Sequence, residues 1–105
     1  LDDAKVVGFV SYGDFRDPAR IAGEIFALYV LKDYYGKGVG QQLMQAAFAA
    51  LYGYQEIILW VLEDNKRAIA FYEKMGFVFD GEEKVIDLGK AVKEKRLIYS
   101  KNSNS

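Results

Sequence analysis

A short loop rich in glycine carries the first residues whose types and spacing could do chemistry. Gly36, Gly38 and Gly40 alternate with Lys37 and Val39. Glycine turns without a Cβ clash and lets a ligand come close to the backbone. The loop leads into a predicted helix, whose first N–H groups and dipole favour negative charge. The loop is therefore a candidate phosphate site with a mobile cation, Lys37, although the same glycines would also suit a turn that only begins a helix.

Two familiar phosphate-binding patterns do not fit this loop. A P-loop requires Ser or Thr after Gly-Lys, whereas Lys37 is followed by Gly38. A dinucleotide fingerprint counted from Gly36 requires glycine at position 41, which is Gln41. Spacing alone thus leaves the phosphate site and the plain turn as open interpretations.

A second pair of polar residues lies seven positions apart in a predicted helix. Asn65 and Tyr72 are separated by nearly two helical turns, so they share one face and are roughly 10 Å apart along the axis. Two side chains at that spacing could contact two points of one extended ligand. Asn65, like Asp64 before it, is also suited to cap the helix, and Tyr72 taken alone is typical of a core aromatic residue.

Two carboxylates lie in or next to predicted strands. Glu24 lies in a predicted strand, where a solvent-facing position is the ordinary interpretation, and Glu63 follows a central apolar strand. The sequence has no cysteine and no histidine, which excludes disulfides and every mechanism that depends on a thiol or an imidazole. No spacing of carboxylates suggests a metal site, so no metal is expected.

Composition narrows the class of protein. The 105 residues suffice for one domain, and 51% hydrophobic and 28% charged residues are ordinary for a soluble globular protein. The net charge is -1 without a long run of one sign, which argues against nucleic-acid and anionic-membrane partners. No segment is long and apolar enough to span a bilayer. The absence of cysteine fits a reducing compartment, so a cytoplasmic location is expected.

The elements that must position these residues follow from hydrophobic patterning and from glycine and proline punctuation. Strands are predicted at 5–13, 22–31, 57–62, 77–88 and 92–100, helices at 39–52 and 66–75, and a disordered tail at 101–105. The middle strand–helix–strand unit predicts a parallel pair with a right-handed crossover, and the last two strands predict an antiparallel hairpin. The fold class is therefore α/β with a mixed sheet. Residues 57–62 are apolar without alternation, which predicts a central strand covered on both faces.

Two segments resemble the signature motifs of the GNAT N-acetyltransferases. The first follows Leu28-Tyr29-Val30 and runs through Gly36-Lys37-Gly38-Val39-Gly40 to Gln41-Gln42-Leu43-Met44. It is similar to motif A, which is Arg or Gln, two residues, Gly, one residue, then Gly or Ala; Tyr35 stands at the Arg or Gln position. The second runs from Asn65 to Phe77 and is similar to motif B, with Asn, Ala, Phe, Tyr, Gly and Phe at set distances. The resemblance covers about residues 5–100 in the right order.

The resemblance implies a fold, a co-substrate and a set of site residues. The fold would be a mixed, mostly antiparallel sheet whose central parallel pair is splayed at the coenzyme A site. The cofactor-binding positions would be Leu28, Tyr29, Val30, Tyr35, Gly36, Lys37, Gly38, Val39, Gly40, Gln41, Asn65 and Tyr72. Tyr72 would protonate the leaving thiolate, Glu24 would be the general base with Glu63 as the alternative, and a backbone N–H near Val30 would stabilise the oxyanion.

The expected activity is direct transfer of an acetyl group from acetyl-CoA to a primary amine in a ternary complex. A non-catalytic acetyl-CoA sensor and a plain interaction domain are the alternatives. The family's domain normally opens with a strand, two helices and another strand, so residues 1–100 would form a single domain that is N-terminally incomplete. The exposed sheet edge would then offer a pairing surface for a homodimer. The partners would be acetyl-CoA and a small-molecule or peptide amine, and the identity of that amine is left open.

Overall fold

The computed structural model describes residues 6–101, and within them it has five strands and two α-helices in the predicted order. In chain order these elements are β1 (Gly8–Asp14), β2 (Gly23–Val30), α1 (Val39–Ala50), β3 (Glu56–Leu62), α2 (Lys66–Lys74), β4 (Val78–Asp87) and β5 (Ala91–Ser100). A 3-10 turn at Lys32–Tyr34 precedes the glycine loop. Each boundary lies within three residues of its predicted position.

The strands form one mixed sheet in the order β1-β2-β3-β5-β4. Its parallel pair is β2–β3, joined by the α1 crossover, and the other neighbours are antiparallel. This confirms the predicted α/β class, the parallel unit and the C-terminal hairpin. Within the described chain the parallel register runs from the Gly23–Ile57 pair to the Ile25–Leu59 pair. Beyond it the two strands separate, so a gap opens in the middle of the sheet.

Both described helices pack on one face of the sheet. Alternate β3 side chains, beginning at Ile57, join Met44 of α1 and Tyr72 of α2 in one hydrophobic core, together with Phe77 and Leu97. The intervening side chains point to the opposite face, which has no helix among residues 6–101. Neither helix in this part of the chain has the length and apolar character that crossing a bilayer requires.

The prediction that β3 is covered on both faces is only half right. Its helix-side residues are buried as expected, and Ile58 on the other face is buried as well. Trp60, however, lies against the cationic groups of Lys84 and Arg96. An aromatic ring can serve an apolar pattern while facing charges, because its π face attracts cations. The pattern therefore identified the central strand but not the charged environment on its far side.

Strand β2 carries an irregularity next to the gap. Ser11 pairs with Ala27 and Tyr12 pairs with Ile25, so Phe26 is an extra residue in β2. Such a bulge locally bends the strand and increases its twist. It lies one residue past the last parallel pair, where β2 leaves β3. At the other end of the chain, the Lys101 N–H donates to the Gln55 carbonyl at 3.0 Å, and the predicted disorder of 102–105 lies outside the described residues.

Candidate active site

The start of α1 is built from backbone alone. Gly38 is the N-cap residue with φ 83°, and no side chain caps the helix. The Gly38 carbonyl accepts the first helical hydrogen bond, from the Gln42 N–H at 3.0 Å. The first N–H groups of a helix need partners from elsewhere, and the dipole adds positive potential there. An uncapped glycine start therefore leaves this end open to an anionic ligand.

The left-handed backbone of the loop explains its glycines. Gly36 and Gly38 have φ of 76° and 83°, and a Cβ on either would meet nothing within 4 Å. Each therefore needs glycine for its backbone angle and keeps the space above it empty. Gly40 has neither a positive φ nor a steric need for glycine, because a Cβ there would be in ordinary contact with the Phe71 ring, at 3.4 Å.

These elements enclose a cleft of about 540 Å³, the glycine-loop cleft. Its walls come from the end of β2, the glycine loop, the start of α1 and one face of α2. Ten of the predicted cofactor-binding residues line it: Leu28, Tyr29, Val30, Tyr35, Gly36, Gly38, Gly40, Gln41, Asn65 and Tyr72. Lys37 and Val39, which were also predicted, are not among its lining residues. Two patterns 25 residues apart in the sequence thus meet at one site.

Charge in the glycine-loop cleft has one sign. Arg67 and Lys74 are lining residues, and among the described residues no acidic side chain lines the cleft. The Arg67 guanidinium lies over the Tyr35 ring, 4.2 Å from its centre. Sequence reasoning had assigned the cation to Lys37 and missed these two. Their signal was positional: Arg67 stands two residues after the helix cap, and Lys74 stands seven residues after Arg67 on the same helical face.

Asn65 caps α2 and also lies at the glycine-loop cleft. Its side-chain oxygen accepts a hydrogen bond from the Ala68 N–H at 3.1 Å, so it caps α2. It also lines the glycine-loop cleft. The cap fixes where α2 begins and hence where Tyr72 stands two turns later. In contrast with α1, this helix satisfies part of its own N-terminus.

Tyr72 is packed as a core residue but reaches the cleft. It is 8% exposed, and its ring packs edge-on against Phe71 and Phe77 at centroid distances of 5.6 and 6.0 Å. Its hydroxyl has no hydrogen-bond partner among the described residues, yet no buried polar side-chain atom there is without a partner. The hydroxyl oxygen is therefore not fully buried, and Tyr72 is a lining residue of the cleft. Burial raises the pKa of Tyr72 above 10.0, so the phenol stays protonated at neutral pH.

Glu24 lies on the opposite face of the sheet from α1 and α2. Its neighbour Ile25 belongs to the helix-side core, and side chains alternate along a strand. Glu24 is 1% exposed, and three N–H donors hold it, all of them from Arg16. The Arg16 backbone N–H lies 3.1 Å and Nε 3.2 Å from Oε1, and Nη2 lies 2.8 Å from Oε2. These hydrogen bonds raise the pKa of Arg16, so its guanidinium remains charged.

This carboxylate lines a second cavity of about 460 Å³, the charged pocket. Its aromatic walls are Phe15 and Trp60, and its ionisable residues are Arg16, Asp17, Glu24, Glu82, Lys84 and Arg96. Sequence reasoning did not find Arg16. The hairpin register, in which Gly13 pairs with Glu24, places residues just past the end of β1 beside Glu24, and the sequence carries no signal of that register.

The remaining predicted groups lie around the gap. Glu63 donates its backbone N–H to the Lys93 carbonyl at 2.9 Å, and its side chain lines neither cavity among the described residues. Past Ile25, the edge of β2 that faces β3 has no strand partner in the described chain. Backbone N–H groups on that edge, near Val30, are therefore not used by the sheet.

With this geometry in view, the comparisons with known proteins can be interpreted. The sequence profile of the acetyltransferase (GNAT) family matches residues 1–77. The chain belongs to this family. The family predicted from the glycine loop and the α2 segment is thereby confirmed.

Individual relatives agree with the family. A probable spermine N(1)-acetyltransferase of Bacillus subtilis subsp. natto is 34% identical over 87 residues, covering 76% of this chain and 57% of the relative. The crystal structure of PH1933 from Pyrococcus horikoshii OT3 is 33% identical with a TM-score of 0.78, covering 95% of this chain and 61% of that one. The Arabidopsis thaliana NAA60 structure in complex with acetyl-CoA shares the fold, with a TM-score of 0.71, 17% identity, and coverage of 91% and 66%.

The chain matches only part of the length of its relatives. The aligned segment spans little more than half of the curated relatives that the chain matches first. The family profile, which matches residues 1–77, includes the glycine loop, α1, β3 and all of α2. The family membership therefore rests on the segment that builds the glycine-loop cleft.

Proposed function

We propose that the protein is an acetyl-CoA-dependent N-acyltransferase that acetylates a primary amine. The observation that carries this proposal is the glycine-loop cleft, in which an uncapped helix start, two cations and a tyrosine line one cavity. Family membership adds the reaction class. The NAA60 structure was determined with acetyl-CoA, which supports the same co-substrate here.

Acetyl-CoA would bind with its pyrophosphate at the start of α1. Backbone N–H groups of Val39, Gly40 and Gln41 would donate to the phosphate oxygens, and Arg67 or Lys74 would add positive charge. Asn65 and the backbone of Leu28 to Val30 would contact the pantetheine arm. The thioester would then lie at the gap between β2 and β3, where Tyr72 can reach its sulfur.

The reaction would need one base, one acid and one oxyanion partner. The acceptor enters as an ammonium, whose pKa is about 10.4 for a lysine-like amine, and gives a proton to Glu24, directly or through water. The free amine attacks the thioester carbonyl, and a backbone N–H near Val30 stabilises the oxyanion. The C–S bond breaks, the thiolate takes the Tyr72 proton, and a second proton from nitrogen restores the phenol. The net products are an N-acetyl amine, CoA and one proton.

An acetyl-CoA sensor without turnover is the second candidate. It is favoured by one observation: both Glu24 oxygens are held by Arg16, so the carboxylate is engaged in the ligand-free protein. Against it stands the protonated, not fully buried hydroxyl of Tyr72, which a sensor does not need. The two candidates share the cleft and differ in turnover.

Two measurements test the proposal. Calorimetry should show that acetyl-CoA binds and that adenosine does not. Adenosine is the control because it lacks the pyrophosphate and the pantetheine arm. A CoA-release assay with polyamines, amino acids, peptides and aminoglycosides should then show turnover with at least one amine. Binding without CoA release on any amine supports the sensor, and absence of binding refutes both.

Partners and location are proposed on the same footing. The small net charge argues against nucleic acid or an anionic membrane as a partner. Among residues 6–101, β1 is an edge strand of the sheet, and this edge could pair two copies of the chain as a homodimer. A cytoplasmic location fits a sequence without cysteine and a co-substrate of the cell interior.

A further inference from the structure

The ion pair between Arg16 and Glu24 is asymmetric. The Glu24 side chain is 2% exposed, whereas the Arg16 side chain is 67% exposed. A solute approaching the carboxylate from the pocket therefore meets the guanidinium first. On its outer side, Arg16 lies over the Phe26 ring at 4.6 Å, a contact that another cation could replace. The guanidinium can move into water without any loss of solvation, because most of its side chain is already exposed. The carboxylate is buried and cannot replace its partner with bulk water.

One of the three hydrogen bonds does not depend on the guanidinium. The Arg16 backbone N–H donates to Oε1 of Glu24 at 3.1 Å, so this bond remains when the side chain swings away. The carboxylate would then stay aimed into the charged pocket with Oε2 free. A buried carboxylate requires a partner, and a ligand cation can supply it.

Unpaired charge in the charged pocket is negative. Lys84 pairs with Glu94 at 3.7 Å and Arg96 pairs with Asp80 at 2.7 Å, so these two cations are already engaged. Glu82 and Asp17 have no cationic partner among the described residues. The pocket thus has acidic groups to spare once Arg16 is set aside, which favours a cationic ligand.

We propose that the Arg16 guanidinium fills the position of the acceptor's ammonium, and that a protonated aliphatic amine displaces it from Glu24 to reach the thioester. Arg16 is then a positioning residue that keeps the buried carboxylate paired until a cationic acceptor arrives. This inference rests on the proposed function and adds a residue, Arg16, that competes with the cationic acceptor for Glu24. An uncharged acceptor could not make the exchange.

The chain offers a matched control in the same loop. Arg20 donates Nε and Nη2 to Oε1 of Glu56 at 3.1 and 2.8 Å. Its side chain and that of Glu56 are about equally exposed, 34% and 32%. Arg20 does not line the charged pocket. Changes specific to the proposed exchange should therefore affect Arg16 and leave Arg20 untouched.

The first test needs no variant and no acetyl-CoA. Arginine Nε–Hε signals of the ¹⁵N-labelled full chain are followed by NMR during titration with 1,4-diaminobutane, with 1,4-butanediol as the uncharged analogue. We expect the Arg16 signal to shift with the diamine only, and the Arg20 signal to stay in place. An unmoved Arg16 signal at saturating diamine, or equal shifts of both arginines, overturns the proposal.

The second test is kinetic. Arg16→Ala should lower the KM for the diamine about tenfold if the guanidinium occupies the site nine-tenths of the time, with a much smaller change in kcat. Arg16→Lys should lie between it and the wild type, and Arg20→Ala should change neither constant. An unchanged or raised KM in Arg16→Ala contradicts the exchange. Should Arg16→Ala fail to fold, the NMR titration decides. A wild-type chain that binds no acetyl-CoA refutes the proposed function, while the NMR result is judged independently.

Discussion

The cavities on the two faces of the sheet are lined by different kinds of groups. On the helix face, the glycine-loop cleft relies on backbone groups, glycines and cations, and no acidic side chain among the described residues lines it. On the other face, the charged pocket is lined by side chains of both signs around two aromatic residues. Backbone N–H groups suit a ligand part that never varies, such as a pyrophosphate. Side chains change with single substitutions, so they suit a part that differs among relatives, such as the acceptor.

The largest expected effect separates chemistry from binding on the helix face. Tyr72→Phe removes only the hydroxyl and keeps the ring between Phe71 and Phe77. Because loss of a general acid costs about 10²–10⁴-fold, kcat should fall by that range while acetyl-CoA affinity stays nearly constant. Single-turnover CoA release and calorimetry on the same preparation measure the two. Full activity would make Tyr72 a packing residue only.

The next effect belongs to the opposite face. Glu24→Gln keeps the shape and can still bond to Arg16, but it cannot accept a proton. The rate at neutral pH should fall by about 10²-fold, the lower end for a general base, and part of it should return at high pH, where the amine deprotonates unaided. A pH–rate profile of kcat/KM checks this, with Glu56→Gln as the control in the Arg20 pair. A wild-type profile would move the role to Glu63 or to water.

A smaller effect tests whether the space above the loop is the phosphate position. Gly38→Val places a side chain where no atom lies within 4 Å, and at φ 83° it adds strain of about 1–2 kcal/mol. Gly89→Val is the matched control, because its φ of 90° and open surroundings give similar strain in the β4–β5 turn. Only Gly38→Val should weaken acetyl-CoA binding, by about tenfold or more, the equivalent of a lost charge-assisted hydrogen bond. Equal affinities in the two variants would remove the pyrophosphate from this loop.

Loss of the side-chain cap of α2 should change the free energy of unfolding by about 1 kcal/mol. Asn65→Ala removes the bond to the Ala68 N–H and should lower the free energy of unfolding by about 0.5–2 kcal/mol, whereas Asn65→Asp should retain most of it. Urea unfolding measures both variants. Asn65 also lines the cleft, so the variant is expected to bind acetyl-CoA less tightly. Acetyl-CoA should then stabilise Asn65→Ala less than the wild type.

The smallest effect concerns alkaline stability. The pKa of Tyr72 is raised in the folded state above its usual 10.0, so above about pH 10 the unfolded chain binds fewer protons than the folded one. The contribution of this group is therefore complete below pH 10 and is lost as the pH rises further. Tyr72→Phe should reduce the loss of stability between about pH 8 and pH 11, and Tyr52→Phe, on an exposed ring, should not. Identical slopes for both variants would contradict the burial argument.

The sequence predicted those parts of the molecule that depend on local patterns. Apolar periodicity located every described strand and helix. The cap of α2 was narrowed to Asp64 or Asn65, and the structure has Asn65, because capping depends on residues three apart. The glycine loop was found because left-handed backbone requires glycine. These features are local in the chain, so local reasoning reached them.

Contacts between distant elements were harder to predict. The Lys37 prediction followed the loop sequence, but the cleft takes its cations from α2, and that choice depends on how α1 and α2 meet at Gly40 and Phe71. The ion pair between Arg16 and Glu24 depends on the register of the β1–β2 hairpin and on the bulge at Phe26. Side chains brought together by register leave no pattern of fixed spacing.

The short parallel register between β2 and β3 has a consequence for how the protein opens. In the described chain it joins two antiparallel ladders, β1–β2 and β3–β5–β4, through the pairs from Gly23–Ile57 to Ile25–Leu59. Units joined by few hydrogen bonds exchange their amide protons by separate local openings. The β1–β2 amides should thus exchange sooner than those of β3 and β5. A ligand that contacts both Val30 and α2 would hold the two ladders together. The amide protons of both ladders would then exchange through one shared, slower opening.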